Sequence, residues 1–194
     1  TTSSYGTYYK VNEGITDSQC DNRDNDCDGA TDEFCVSVSA DVAEGNGGTT
    51  RIMDISMVLD SSGAPHVAYA RQSASTTSDD YRVYYTYRTG TYSWSSPLLV
   101  DNDGNLGRHN SIALNPTNSN PEIAYYRETN SSGTLTQDLR LARYRSTADW
   151  PSEVVDGDGS TNVKGKYSSL AITTAGIRHM IYTNASDDRL LWAE

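Results

Sequence analysis

The chain has 194 residues and a formal net charge of −11 at pH 7, so nucleic acid and anionic membrane surfaces are unsuitable partners. It contains 14 Tyr but one Phe, with many Thr, Ser, Asn and Gly residues, which is typical of half-exposed β-sheet surfaces. No apolar stretch is long enough to cross a membrane, and we expect no membrane insertion. Helical periodicity is absent, which predicts an all-β protein.

Residues 1–19 are predicted to form an extended N-terminal arm. An alternating pattern within it places four side chains on one face of a strand: Tyr5, Thr7, Tyr9 and Val11. This strand has no partner nearby in the sequence. It either remains a frayed tail or pairs with an exposed sheet edge, including the edge of a second molecule.

Residues 20–35 contain all three cysteines and six carboxylates. Four of the carboxylates are spaced like positions 1, 3, 5 and 9 of a calcium loop, and Gly29 lies at the bend. Oxygen ligands at this density suit a hard cation, and without one the carboxylates would repel each other. Cys35 replaces the usual position-12 Glu, so we predict a calcium loop unlike an EF-hand. Its ligands are Asp21, Asp24, Asp26, Asp28, the backbone carbonyl of Ala30, Asp32 and Glu33. The alternative is a solvated acidic turn closed by a disulfide.

The cysteines Cys20, Cys27 and Cys35 favour an oxidising compartment, and they allow three pairings with one thiol left over. The string C-D-N-R-D-N-D-C-D-G-A-T-D-E, residues 20–33, resembles the MopE-type Cys/Asp-rich metal-binding motif of secreted bacterial proteins, with Asn22 in place of the motif's first glycine. The resemblance implies a metal site, an extracellular or cell-surface location and a Cys20–Cys27 disulfide. Cys35 is then free or bonded to something outside the chain. That family is named for a copper-binding protein, but copper prefers imidazole, thiolate or thioether ligands. Because the stretch has no His or Met, its residues favour calcium.

Residues 36–194 repeat themselves. Ser56, Ser111 and Ser169 align at spacings of 55 and 58 residues. Each unit has a short apolar strand, a turn, a second strand ending in Tyr and a third strand, and a fourth strand follows twice, at 94–100 and 150–155. This pattern predicts β-propeller blades, and it resembles the S-L-A-x-D-x-x-G-x-P-H-I-A-Y-Y repeats of bacterial surface proteins. The predicted blades are residues 36–100, 101–155 and 156–194, and residues 36–42 are expected to pair with residues 190–193.

The predicted fold is therefore all-β and β-propeller-like, with three four-stranded antiparallel blades. They follow an extended N-terminal strand and a disulfide-clamped calcium loop. Closed propellers usually need four to eight blades. Three blades close only with other copies, stack without closing, or belong to a sandwich that mimics the pattern. Open edges invite association, which predicts self-assembly.

Other candidate sites each have a structural alternative. A second and a third metal loop are predicted at Asp101, Asp103 and Asn105 and at Asp156 and Asp158, although Asp-Gly pairs also form ordinary turns. Trp94 and Trp150 recur in the repeat and either stack on glycans or pack between blades. His66, Glu122 and His179 occupy one repeat position, which indicates a structural role. No catalytic motif occurs, and we predict that the protein is not an enzyme.

The predicted function is that of a secreted, calcium-binding structural module. It self-assembles into an extracellular filament, fibre or surface layer, and the N-terminal strand or the open blade edges join its copies. The alternatives are a glycan-binding propeller (a lectin or adhesin that recognises surface glycans) and a copper-sequestering protein.

Overall fold

The computed structural model describes residues 51–72, 80–91, 93–131, 133–157 and 162–194, which belong to the compact unit Val42–Glu194. The predictions for the N-terminal arm, the calcium loop, the disulfide and the strand at residues 36–42 lie outside the described residues. The described part contains twelve strands and no helix, so it has no helix that could cross a membrane.

The strands form three antiparallel sheets in chain order. The first sheet contains β1 (Ile52–Leu59), β2 (Pro65–Gln72), β3 (Tyr81–Gly90), β4 (Ser93–Trp94) and β5 (Leu98–Asp101). The second contains β6 (Asn105–Leu114), β7 (Pro121–Ser131), β8 (Thr134–Arg143) and β9 (Ser152–Asp156). The third contains β10 (Lys164–Ile172), β11 (Arg178–Asn184) and β12 (Arg189–Ala193). Successive strands pair in each sheet, except that β4 and β5 both pair with β3.

The prediction of an all-β fold with antiparallel sheets is confirmed for the described residues, where the sheets have five, four and three strands instead of four each. In the first sheet the predicted strand at residues 94–100 is divided into β4 and β5. Pro97 lies between them and has no backbone N–H to donate to a ladder. The third sheet has three strands in the described residues, and the described sheets form no closed barrel or ring.

Two hydrophobic cores lie between the sheets. The first core joins the first and second sheets through Ala68, Val83, Tyr85, Val100, Leu106, Ile112, Ile123, Tyr125, Ala142 and Trp150. The second joins the second and third sheets through Ala124, Leu139, Leu141, Leu170, Met180 and Tyr182. Neighbouring residues of β7 enter different cores because side chains alternate along a strand. The second sheet is therefore packed on both faces.

The first strand of each sheet is bent at the same repeat position. Its pairing register shifts immediately before the three aligned serines, Ser56, Ser111 and Ser169. Two residues earlier, the backbone has a positive φ of 50°, 54° and 54° at Asp54, His109 and Tyr167. A β-bulge re-aims the backbone and side chains around it. The repeat thus directs the same groups of each first strand towards the neighbouring sheet.

Two glycines bring consecutive sheets into close contact. Gly107 and Gly165 have φ values of +79° and +93° and lie two residues before the bulge positions of β6 and β10. A Cβ on Gly107 would lie 2.8 Å from Val83 Cγ2, and a Cβ on Gly165 would lie 2.7 Å from Leu139 Cα. Val83 and Leu139 occupy corresponding positions of β3 and β8 in the preceding sheets, because each pairs with the last residue of the final strand. Glycine is needed here for both conformation and space.

Candidate functional site

One hydrogen bond recurs at both junctions between neighbouring sheets. The Ile112 amide donates to Ser56 Oγ over 3.1 Å, and the Leu170 amide donates to Ser111 Oγ over 2.9 Å. In each case the donor is one position beyond its own aligned serine. The sheets are therefore joined by one contact that is made twice, in the same register.

A second recurring contact uses the carbonyl of the bulge residue. Asn110 Nδ2 donates to the Asp54 carbonyl, and Ser168 Oγ donates to the His109 carbonyl over 2.6 Å. Asn110 and Ser168 share one repeat position. The bulges at Asp54 and His109 therefore each present a backbone acceptor to the following sheet.

The third recurring contact joins a buried tyrosine to a carboxylate of the preceding sheet. Tyr125 on β7 donates to Asp101 Oδ2 over 2.5 Å, and Tyr182 on β11 donates to Asp156 Oδ2 over 2.7 Å. Burial, followed by the negative charge of Asp101, raises the pKa of Tyr125 far above its ordinary value of 10.0. The pKa of Tyr182 is raised in the same way by burial and by its hydrogen bond to Asp156.

Replacing Tyr125 with phenylalanine should change how stability depends on alkaline pH. In the unfolded chain this tyrosine loses its proton near pH 10, whereas in the folded protein it keeps it, so stability falls as pH rises above about 10. Tyr125→Phe removes this titrating hydroxyl, so above about pH 10 the unfolding free energy of the variant should fall less steeply with pH, by about 1.4 kcal/mol per pH unit. At neutral pH the variant should be about 1–2 kcal/mol less stable. Urea unfolding at several pH values measures both effects.

The control for this experiment is Tyr167→Phe, because the Tyr167 side chain is well exposed. Loss of this exposed hydroxyl should change the unfolding free energy by less than about 0.5 kcal/mol at neutral pH. An unchanged slope for Tyr125→Phe would contradict the role assigned to the buried hydroxyl.

The two additional predicted metal loops use their carboxylates and amide in contacts with protein groups. Asp101 lies 3.9 Å from Arg140 Nε and accepts a hydrogen bond from the Asp103 amide, and Asp103 binds Arg127 Nη1 at 2.9 Å. Asn105 Oδ1 accepts from the Tyr81 amide.

In the other loop, Asp156 accepts from Lys164 Nζ at 2.9 Å, and Asp158 lies outside the described residues. Across the described ranges there is no group of three or more His, Cys, Asp or Glu that could hold a metal ion. Metal binding at these two loops stays a prediction.

The two repeated tryptophans have different surroundings. Trp94 is on β4 and is partly exposed, whereas Trp150 precedes β9 and is 8% exposed. The Trp150 ring packs against Tyr85 at a centroid distance of 5.3 Å and against Tyr144 at 5.1 Å. Because these rings cover Trp150, the structure favours the packing interpretation over glycan stacking at that residue.

The repeat position of His66, Glu122 and His179 is used for contacts within the protein. Glu122 is buried and binds Arg178 of the next sheet through two hydrogen bonds of 2.5 Å and 2.7 Å. His66 Nδ1 is 2.5 Å from the Tyr85 hydroxyl, and burial lowers the pKa of His66. The His179 ring stacks on Trp192. These contacts fit the predicted structural role.

Two polar cavities lie beside this repeat position. One, of about 630 Å³, is lined by His66, Asp60 and Tyr87 among others. The other, of about 410 Å³, is lined by Glu122 and Arg178 together with the turn between β6 and β7. Asp60 accepts hydrogen bonds from Ser62 and from the Ala64 amide, and these bonds stabilise the turn. The same bonds lower the pKa of Asp60 to about 2. The cavity walls are thus built from groups that already stabilise the hairpins.

The outer faces of the sheet array carry exposed apolar side chains. We define the first outer face as Ile55, Met57 and Leu59 on β1, which point away from the second sheet. We define the second outer face as Ile181, Leu190 and Trp192 on β11 and β12, which also point away from it. All six side chains are exposed. Contiguous exposed apolar side chains mark interaction surfaces.

The tyrosine contacts were not predicted, although the sequence contains their signal. An aligned tyrosine recurs in the second strand of each sheet (Tyr69, Tyr125 and Tyr182), and the final strands of the first two sheets end in Asp101 and Asp156. The two bonded Tyr–Asp pairs are separated by 24 and 26 residues. Comparisons with protein-family models, with curated proteins and with solved structures found no significant match. The two exposed outer faces are the feature of the described residues from which we infer a function.

Proposed function

We propose that this protein is a non-enzymatic, secreted structural module that binds calcium and self-assembles into an extracellular fibre or surface layer. We further propose that its three sheets are blades of a β-propeller-like array. The observation that carries the proposal is the exposure of the outer faces. Met57 is 61% exposed, whereas Ile112 and Leu170, at the same repeat position in the other sheets, are 5% and 7% exposed.

The order of the three sheets supports association over a monomeric role, because only the middle sheet is covered on both faces. Apolar side chains buried between sheets contribute about 1.5–3 kcal/mol each, and on the outer faces this contribution is missing. Covering both faces with further protein would recover it. In the part of the chain that the structure describes, the first and third sheets expose positions that the second sheet buries, and an array of this kind is suited to joining other molecules.

The calcium part of the proposal rests on the carboxylates of residues 20–35. A loop of this kind in an extracellular module has an expected dissociation constant of roughly 10⁻⁴–10⁻³ M. Calcium would neutralise the repelling carboxylates and fold the segment around the ion. The segment would then be folded only while calcium is bound.

Removing calcium should lower the melting temperature and dissolve assemblies. At a calcium concentration of about 100 times the dissociation constant, binding stabilises the folded state by about 2.7 kcal/mol, which corresponds to a shift of roughly 5–10 °C. Calorimetry with calcium and with excess chelator measures the shift, and negative-stain microscopy of the same samples distinguishes a fibre, a ring and a monomer.

Matched variants identify the site responsible. Asp26→Asn should abolish the calcium-dependent shift, whereas Asp103→Asn should retain it if the 20–35 loop is the calcium site. Equilibrium dialysis against calcium and copper together tests the choice of metal, because an oxygen-only ligand set should favour calcium. Unchanged melting and unchanged assembly in excess chelator would contradict the calcium proposal.

A further inference from the structure

We propose that the second outer face of one molecule packs on the first outer face of another, in the register of the two contacts within the chain. This inference rests on the proposed self-assembly and names the surfaces that perform it. The partner is a second copy of this chain. The contact is between sheet faces, so it differs from pairing of strand edges and from docking of the N-terminal strand.

The two contacts inside the chain define what a third contact would require. In each of them, one sheet supplies an aligned serine as acceptor and the next supplies a backbone amide one position beyond its own serine. Ser169 occupies the acceptor position on the third sheet, and Met57 occupies the donor position on the first sheet. Ser169 and Met57 are both exposed. For this one of the recurring contacts, the two outer faces thus hold the two halves; at the position of Asn110 and Ser168 the first sheet has Ile55, which has no side-chain donor.

The apolar side chains of the second outer face follow the same correspondence. Tyr125 pairs with Arg140 in the second sheet, and Tyr182 pairs with Leu191 at the same repeat position of the third sheet. Leu141 and Trp192 are the next residues after these partners, so they occupy corresponding positions. Leu141 is 1% exposed between the second and third sheets, whereas Trp192 is 58% exposed. Ile181 likewise takes the position of Ala124, which is fully buried.

These correspondences favour a second copy as the occupant. The second outer face matches the face that the second sheet turns towards the third. The first outer face matches the face that the second sheet turns towards the first. Each outer face is therefore complementary to the other and not to itself, which joins molecules head to tail. Such a contact gives a ring if the rotation closes and a fibre if it does not.

Single charges on either face test the inference in the full chain with calcium present. Met57→Asp blocks the first outer face, and Ile181→Asp blocks the second. Each substitution would bury an unpaired carboxylate in the contact, so each should weaken self-association about 30-fold or more. Val154→Asp is the matched control, because Val154 is 46% exposed, like Ile181, but lies on the final strand of the second sheet. Analytical ultracentrifugation measures association, and circular dichroism checks that each variant is folded.

Mixing the two blocked variants provides the decisive measurement. Met57→Asp retains a working second outer face and Ile181→Asp retains a working first one, so an equal mixture should form dimers that contain one copy of each. Neither variant alone should form them. This gain of association cannot arise from misfolding of either protein.

The outcomes separate this inference from the proposed function. If the wild-type chain is monomeric in calcium, the face contact and the proposed self-assembly are both overturned. The outer faces are then covered by other residues of the same chain or by nothing. If it assembles and the two face variants assemble as tightly, the face contact is overturned and self-assembly stands. Equal weakening by Val154→Asp, or a mixture that remains monomeric, would also overturn the face contact.

Discussion

Replacing Gly165 with alanine should destabilise the protein by about 3 kcal/mol. The residue has a φ of +93°, where an L-residue is strained, and its new Cβ would lie 2.7 Å from Leu139 Cα and 2.8 Å from Leu139 N. Both contacting atoms belong to the backbone of β8, so relief requires the second and third sheets to separate. Strain costs about 1–2 kcal/mol and overpacking adds about 1–3 kcal/mol. Urea unfolding of the two proteins measures the difference.

Gly133 provides the control that isolates conformational strain. Its φ is +86°, close to that of Gly165, but a Cβ there meets no atom within 4 Å. Gly133→Ala should therefore cost about 1–2 kcal/mol, without the packing contribution. If the two substitutions cost the same, the close approach of the sheets at Gly165 contributes nothing, and the account of the inter-sheet contact is wrong.

Replacing Glu122 with alanine should cost about 3 kcal/mol for a different reason. Glu122 is 3% exposed and accepts two hydrogen bonds from Arg178 and one of 2.8 Å from Asn115 Nδ2. The alanine variant leaves the largely covered Arg178 guanidinium and the Asn115 amide without their acceptor. Removing one partner of a buried pair is more damaging than removing both. Chemical denaturation measures the loss.

Glu153 is a matched control for the ion pair. It also binds an arginine, Arg143, over 2.9 Å, but the Glu153 side chain is 53% exposed. Exposed pairs contribute at most about 1 kcal/mol, so Glu153→Ala should have a small effect. The double variant of Glu122 and Arg178 should be more stable than the sum of the single effects predicts. A strictly additive result would show that the two side chains do not depend on each other.

Local sequence pattern was sufficient to predict most of the strands in the described residues. Apolar runs separated by turn residues recur with the aligned serines, and the structure places a first strand at each of them. Side-chain alternation along these strands also follows the sequence, since a strand turns successive residues to opposite faces. The prediction failed between Trp94 and Val100, where Pro97 interrupts an otherwise continuous pattern.

The Asp-Gly loops were harder to interpret. A carboxylate followed by glycine is compatible with a metal ligand and with a turn, and the sequence does not indicate which cation lies nearby. In the fold, the partners of Asp101 and Asp156 include Tyr125, Tyr182, Arg140 and Lys164. Most of these partners are more than twenty positions from their aspartate in the sequence, so only the stacking of the sheets brings them into contact.

The sequence by itself determined that the chain is a repeat of short β-strands, because the two-residue alternation and the spacing of about 55 residues are local properties. Only the tertiary structure decided which apolar side chains are buried. Ile112 and Met57 hold the same repeat position, yet one is covered by a neighbouring sheet and the other is exposed. Burial depends on what stacks against a face, and no pattern within a strand records whether its neighbour is present.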